Sequence, residues 1–368
     1  MRWQKGLLII CLVTALVLSL VGACAAPAPP APAPPTPAPP VPAPPAPAPV
    51  EVTTWIMQGQ WPPGDPQFQI GKRVAERITT LSNGRLVVDN FPGDAIVPAG
   101  EETDGLITGA LDICHTCSGY NLHLFPAAGL FDQVCGGMTS NQMVYWYIAG
   151  GGKELMKEAY EPFGVVALGP VVLVPEDWAY TTFPLNTVAD LSKLKMRTAG
   201  DGGEILARMG ASTVFLPGGE LYESMERGVI NAFEYGGASA AWPMGFQEVM
   251  DYLYLSLTRA PADGSFLAAR NDSYGKLTSD LQQLLKVVAE AEIARYLTEA
   301  VTKDAETLEL FKDYGVQVLP LPEEIGVAFL AEAEAFYDDK MVENPGFYTR
   351  VIESMRAFRK LMELQGVR

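Results

Sequence analysis

An α/β architecture large enough for two domains is what this sequence predicts, and three observations carry that expectation. Strand-like and helix-like stretches alternate from residue 52 onward, the pattern of repeated β-α-β units, which predicts a mostly parallel sheet with helices on its faces. About 318 residues follow a proline-rich tract that ends at Pro49, enough for two α/β domains with real cores. From Thr278 to about Phe311 there is neither Pro nor Gly, and apolar residues recur at helical spacing (Leu281, Leu284, Leu285, Val288, Ala291, Leu297). A continuous helix there is about 50 Å long, longer than either domain needs, and is placed to bridge the two.

The elements follow in order. Val52-Thr53-Thr54-Trp55-Ile56-Met57 is rich in β-branched and aromatic residues and predicts a first strand. Pro66 to Leu81 carries apolar residues at Phe68, Ile70, Val74, Ile78 and Leu81, which is helical spacing, and Ser82-Asn83-Gly84 stops it. Arg85 to Phe91 is the next strand, ended by Pro92-Gly93; Glu101 to Thr108 is a helix, and Leu111 to Cys114 a third strand. The long apolar run Val165 to Leu173, closed by Val174-Pro175, predicts a buried strand leading toward a second lobe. There, strands at Leu194–Arg197, Thr213–Leu216 and Ala232–Tyr235 alternate with helices that end near Met209 and Arg227. Residues 323–341 and 346–364 are further amphipathic helices.

The front of the chain is of another kind. Arg2 and Lys5 precede an apolar run from Gly6 to Val21, and Val21-Gly22-Ala23-Cys24 sets small residues immediately before a cysteine. That is the layout of a secretory signal whose cysteine, Cys24, is lipidated on processing. The other reading is an uncleaved membrane anchor, for which sixteen apolar residues are short. Pro27 to Pro49 holds 14 prolines in 23 residues. Such a tract favours polyproline II and makes a semi-rigid spacer of roughly 70 Å. Either way the expectation is a domain tethered to a membrane outside the cytoplasm.

Composition narrows the chemistry. The net charge is −17, and losing the leader removes two more cations. An acidic chain without a Lys/Arg cluster argues against nucleic acid and anionic lipid as partners. Only two histidines exist, His115 and His123, which makes a histidine-based metal site or triad improbable. Besides Cys11 and Cys24, the cysteines are Cys114, Cys117 and Cys135. Cys114-His115-Thr116-Cys117 has C-x-x-C spacing but lacks the second ligand pair a zinc site wants. Small buried thiols, with at most one disulfide, are the expectation. Gly150-Gly151-Gly152 and Gly200-Asp201-Gly202-Gly203 match no nucleotide-binding pattern. Glu101-Glu102 and Glu323-Glu324 open helices, where acids complement the dipole.

The stronger signal is Leu194-Lys195-Met196-Arg197-Thr198-Ala199-Gly200. An arginine at the end of a strand, before a glycine loop and a helix, stands where open α/β sheets present ligand-binding groups. Its guanidinium is a planar fork that fits a carboxylate bidentately. A surface ion pair is the plainer alternative.

Several ordered motifs now carry a resemblance. Met196 to Gly200, Gly202 to Ala211, Leu216-Pro217-Gly218-Gly219-Glu220-Leu221-Tyr222 and Arg227 to Tyr235 closely resemble the solute-binding subunit of tripartite ATP-independent periplasmic (TRAP) transporters, DctP type. Gln60-Trp61-Pro62, Phe91-Pro92-Gly93 with Val97-Pro98, the triple glycine at 150–152, and Phe347 to Phe358 extend the match over residues 52–364. Within that family the chain looks most like the branch that binds 2-oxo and 2-hydroxy monocarboxylates. The resemblance implies a two-lobed, periplasmic-binding-protein-like fold with a ligand cleft between the lobes and a long helix across both. It implies lobe I at 51–174, lobe II at 175–256 and a return to lobe I over 257–368. It also implies binding without catalysis: a small organic acid is captured, the lobes close, and the loaded protein docks on membrane permease subunits.

Carried over by position, Arg197 matches the family arginine that pairs with the solute carboxylate, and Glu234 a glutamate of the second-lobe site. Tyr235 stands where the branch usually has Trp, while Trp61 and Tyr120 fall on the first lobe's cleft walls. The branch often binds its solute with sodium or calcium, held by that glutamate, a main-chain carbonyl (here that of Tyr235), a glutamine and a second glutamate. This chain departs twice: Glu176 takes the glutamine's place, and Ala260 falls where the second glutamate is due. Two arrangements stay open. Glu176 and Glu234 could still hold a cation through oxygen ligands. Alternatively, Arg259 could point into the cleft and supply the positive charge itself, since two carboxylates without a counter-charge are costly. Two other functions use the same domain: a sensing module for a signalling partner, and an exported lyase or isomerase with Glu176 and Glu234 as acid and base.

Overall fold

The computed structural model describes residues 52–367. The leader, Cys24 and the proline tract lie outside the described residues. Eleven strands are present among the described residues: β1 (Thr53–Gly59), β2 (Leu86–Phe91), β3 (Ile113–Thr116), β4 (Val165–Leu173), β5 (Ala179–Thr181), β6 (Lys195–Arg197), β7 (Ser212–Val214), β8 (Ala232–Phe233), β9 (Tyr252–Leu255), β10 (Asp263–Arg270) and β11 (Gln317–Pro320). They form two sheets, ordered β2-β1-β3-β10-β4 and β11-β9-β5-β8-β6-β7, one in each of two lobes.

Both sheets are mixed: in the second, three of the five pairings, that of β11 with β9 included, are parallel as expected, whereas the first is half antiparallel, which corrects the expectation there. In the first, β1 runs parallel to β2 and β3, while β10 is antiparallel to both β3 and β4. In the second, β6 is parallel to β7 and β8, and β5 is antiparallel to β8 and β9. The cause is the double crossing between lobes. The chain leaves the first sheet along β4 into β5 and returns along β9 into β10. An outgoing strand and its returning neighbour necessarily run opposite ways, so β4 pairs with β10 and β5 with β9 in antiparallel fashion.

Local sequence explains most elements. Asp65 caps the helix Pro66–Leu81, its Oδ1 accepting from Gln67 N at 2.7 Å, and that helix buries Ile70, Val74 and Ile78 against Trp55 and Met57 of β1. The helix Ser279–Tyr314 runs unbroken for 36 residues, about 54 Å, and Gly315 ends it in the left-handed conformation (φ 114°). Leu285 and Val288 of this helix join the first-lobe core, whereas Phe311 packs with Tyr180 and Trp242 in the second. One helix therefore closes both cores. Buried Glu292 ties it to Arg73 (2.6 Å) and to Arg77 of the helix Pro66–Leu81. Further on, Asp304 accepts from Ser239 N at 2.8 Å. No helix among the described residues is long and apolar enough to cross a membrane.

Candidate functional site

Parallel strands β6 and β8 pair with Arg197 opposite Phe233, so their carboxyl ends deliver Arg197 and Glu234 side by side. Arg197 is only 3 % exposed, which removes the surface ion-pair alternative. Its Nε donates to Leu216 O (2.8 Å), and its Nη1 donates to both the carbonyl (2.9 Å) and the Oε2 (3.0 Å) of Glu234. Ala199 N donates to Glu234 Oε1 at 2.5 Å. Three of the five guanidinium N–H groups are thus committed to the protein. The two on Nη2 have no protein hydrogen-bond partner among the described residues, and Arg197 lines a cavity. The bidentate fork expected from the sequence is therefore reduced to one nitrogen in this arrangement.

The two crossing segments run together, with Glu176 N donating to Ala260 O at 3.2 Å, and this pairing brings Glu176 beside Arg259. Arg259 is fully buried. Its Nη2 donates to Glu176 Oε2 at 2.5 Å, its other bonds reach Trp178 O, Asp177 O and Gln133 Oε1, and its Nη1 lies 3.9 Å from Glu234 Oε1. Burial would lower this guanidinium, but the adjacent Glu176 and Glu234 outweigh it and the net direction is up. Arg259 does not line the cavity; it sits behind Glu176 and places a fixed positive charge between the two glutamates. Glu176 Oε1 is occupied as well, accepting from Gly236 N at 3.0 Å. Burial first and then Glu176 push Glu234 up, against the pull of both arginines.

The first lobe supplies the facing wall. Trp61 packs on the ring of His115 with centroids 4.5 Å apart, and His115 donates or accepts at Ser265 Oγ over 2.8 Å. Burial drops His115 to about 3, so it is a neutral core residue. Tyr120 meets Phe215 of the second lobe edge-on at 5.3 Å. Tyr235 reaches across from the second lobe and donates its hydroxyl to Asp65 Oδ2. Gly218 leaves the room that the Tyr235 ring fills, because a Cβ there would collide with it. The two lobes therefore touch across the cleft.

Between them lies a cavity of about 40 Å3, lined by Trp61, Tyr120, Glu176, Arg197, Glu234 and Tyr235 among others. That is room on the order of three waters, hence for a solute of few heavy atoms. A wider vestibule of about 300 Å3 shares Trp61, Tyr120 and Tyr235 with it. All seven residues singled out from the sequence gather here, Arg259 one layer back. Sequence reasoning missed Asp65, Asp132, Gln133 and Asp263. The last three line the cavity, and the available signal was an acid set directly against an apolar run, as in Leu130-Phe131-Asp132. Cys114, Cys117 and Cys135 are free, buried thiols, so the disulfide does not form.

Chemically, the site can hold a small anion out of water against a charged arginine and aromatic walls. Residues 57–344 match the family described as bacterial extracellular solute-binding protein, family 7 (DctP). A monocarboxylate 2-oxoacid-binding periplasmic protein of Nostoc sp. is 25% identical over 306 residues, covering 83% of this chain and 84% of that one. Among solved structures, a TRAP periplasmic solute-binding protein from Colwellia psychrerythraea with bound calcium and pyruvate is 26% identical, with a TM-score of 0.81 over 86% of this chain and 96% of that one. Another from Pseudoalteromonas atlantica, with bound sodium and pyruvate, is also 26% identical, with a TM-score of 0.80 and the same coverage. With the match spanning both lobes and the cleft between them, the chain belongs to the DctP family of bacterial extracellular solute-binding proteins.

Proposed function

We propose that this protein is the extracytoplasmic receptor of a TRAP-type secondary transporter and captures a small monocarboxylate, a 2-oxo or 2-hydroxy acid. The observation that carries this reading is Arg197, buried at the cavity with its Nη2 hydrogens uncommitted. A solute carboxylate that accepts from Nη2 completes the guanidinium's bonding, and the small cavity favours a short acid. Trp61 and Tyr120 cover its apolar part. Lobe closure supplies the response, because contacts made by both lobes at once favour the closed arrangement. Lobe I spans 51–174 and lobe II 175–256; from 257 the chain returns to the first lobe, and the long helix then carries it back to the second, where β11 pairs with β9. Processing at Cys24 anchors the protein by lipid, and the proline tract holds the domain away from the membrane, where it meets the permease subunits.

The test is a thermal-shift panel on the full chain in detergent with pyruvate, lactate, longer 2-oxo acids, aromatic 2-hydroxy acids and dicarboxylates. A ligand at 100 times its Kd stabilises by about 2.7 kcal/mol. Pyruvate or lactate is expected to give the larger shifts; silence with every monocarboxylate would overturn the assignment. Fractionation checks the anchor: Cys24→Ala is expected to move the chain from the membrane to the soluble fraction.

A further inference from the structure

We propose that Asp132 and Asp263, on the first-lobe wall of the cavity, form a subsite that holds a positive charge entering with the solute. This rests on the reading of the cavity as the solute site. The charge balance motivates it. Both arginines near the cavity are already matched, Arg197 with Glu234 and Arg259 with Glu176. Asp132 and Asp263 line the same cavity and have no cationic partner among the described residues. Buried acids left in this state are costly unless a proton or a cation joins them.

The geometry is that of a built site. Ligand atoms of Asp132, Asp263 and Cys117 lie within 4.8 Å of one another. Asp132 is 7 % exposed, and its Oδ1 is buried with no hydrogen-bond partner. Its Oδ2 is fixed by Gly119 N at 3.0 Å. Asp263 Oδ1 is fixed by Gln133 Nε2 at 3.1 Å and Gly264 N at 2.8 Å. Glycines 119 and 264 allow this approach, since a Cβ at 119 would strike the Asp132 carboxylate and one at 264 would press on the backbone of Phe131 and Asp132 at 3.0–3.1 Å. Cys117 Sγ accepts from Gln60 Nε2 at 3.4 Å, so the free donors are oxygens. Oxygen donors suit an alkali or alkaline-earth cation, or an ammonium group.

The second lobe is the poorer place for that charge. Between Glu176 and Glu234 the Arg259 guanidinium is already present, 2.5 Å from one and 3.9 Å from the other. An added cation there would face a like charge, and Ala260 offers no side-chain donor. Across the cavity the two aspartates have no cation beside them, only each other's carboxyl group. Two sources fit them: a metal ion bridging the aspartates to the solute's own oxygens, or an ammonium carried by the solute.

Titration calorimetry on the full chain in detergent separates the outcomes. One arm titrates pyruvate with sodium, with calcium and with a chelator; the other titrates alanine and β-alanine with the chelator present. A metal source is expected to tighten pyruvate binding by about thirtyfold or more over chelator. An ammonium source is expected to give the amino acids that same advantage over pyruvate without metal. In either case Asp263→Asn and Asp132→Asn are expected to abolish the gain. Melting curves confirm that each variant folds, and if one does not, the other carries the test. The proposal is overturned if both variants keep the wild-type gain, or if neither cation nor amino group alters wild-type affinity. Failure of every acid to bind the wild type under all conditions instead overturns the solute reading itself.

Discussion

Arg197 is at once a strut and a donor, and the two roles separate in variants. Its Nε and Nη1 hold Leu216 O and Glu234, which ties the segments after β7 and β8 to the end of β6, while Nη2 is left for the solute. Arg197→Ala is expected to weaken monocarboxylate binding by about 2 kcal/mol or more, because it strands a desolvated carboxylate. Arg197→Lys is expected to lose nearly as much affinity but less stability, since an ammonium can neutralise Glu234 and cannot also span Leu216 O and a solute. Calorimetry and melting together check this; affinity within a few-fold of wild type in both variants would remove Arg197 from the site. Tyr235 tests the far wall. Tyr235→Phe deletes the hydroxyl bond to Asp65, a buried carboxyl that burial pushes up to about 6. With one bond across the cleft gone, solute dissociation is expected to speed up by about fivefold or more, at the scale of one charge-assisted hydrogen bond; stopped-flow release would show it. Arg197, Glu234 and Tyr235 were legible in the sequence because they sit in contiguous motifs at strand ends. Asp65, Asp132 and Asp263 were not, since a single acid at the end of an element has no periodicity and acquires meaning only when two distant segments meet.

At the scale of elements, legibility followed intrinsic preference. The helix Pro66–Leu81 and strand β4 were read to the residue because cap, period and β-branched run all agree there. Strand β10 was missed although it is central in its sheet and buried from Asp263 to Ala269. Its sequence, Asp-Gly-Ser-Phe-Leu-Ala-Ala-Arg, has no β-branched residue; its strand conformation is imposed by β3 and β4 on either side. Strand β11 and the helices Ser140–Ala149 and Gly152–Tyr160 were missed too. The long helix was legible from its lack of breakers, yet what fastens it was not. Glu292, Arg73 and Arg77 converge from positions more than 200 apart in the chain. Glu292→Gln is expected to cost about 2 kcal/mol, below the range for a fully buried pair because both arginines are partly exposed. Chemical denaturation reads that loss directly, and an unchanged midpoint would mean the ion cluster contributes nothing net.

Over the whole molecule the acidic excess is not confined to the surface, and that shapes the response to pH. Burial raises Asp65 to about 6, Asp201 to about 6 and Glu102 to about 7. Each is partly compensated: Asp65 by Tyr235 and Gln67 N, Glu102 by Gln58, Thr116 and Gly100 N, and Asp201 by Tyr337, with Lys340 favouring and Glu204 opposing its charge. Desolvation remains the largest effect in all three. A carboxyl raised in the folded state binds its proton more tightly there than in the unfolded chain. Its contribution is fully present below the unfolded value near 4 and is lost as pH climbs through 6 and 7. Asp190, beside Lys193, and Asp280, beside Thr278 and Arg85, are shifted the other way; their contribution is already complete above the unfolded value near 4 and does not change between pH 5 and pH 8. Stability without solute is therefore expected to be higher at pH 5 than at pH 8, opposite to a protein held together by salt-bridged carboxylates. Urea midpoints at the two values, at constant ionic strength, check the sign. Glu102→Gln is expected to flatten the slope between them, because a neutral amide cannot be forced to ionise. If the midpoint rises with pH instead, these buried acids are paired with positive charge in solution rather than protonated.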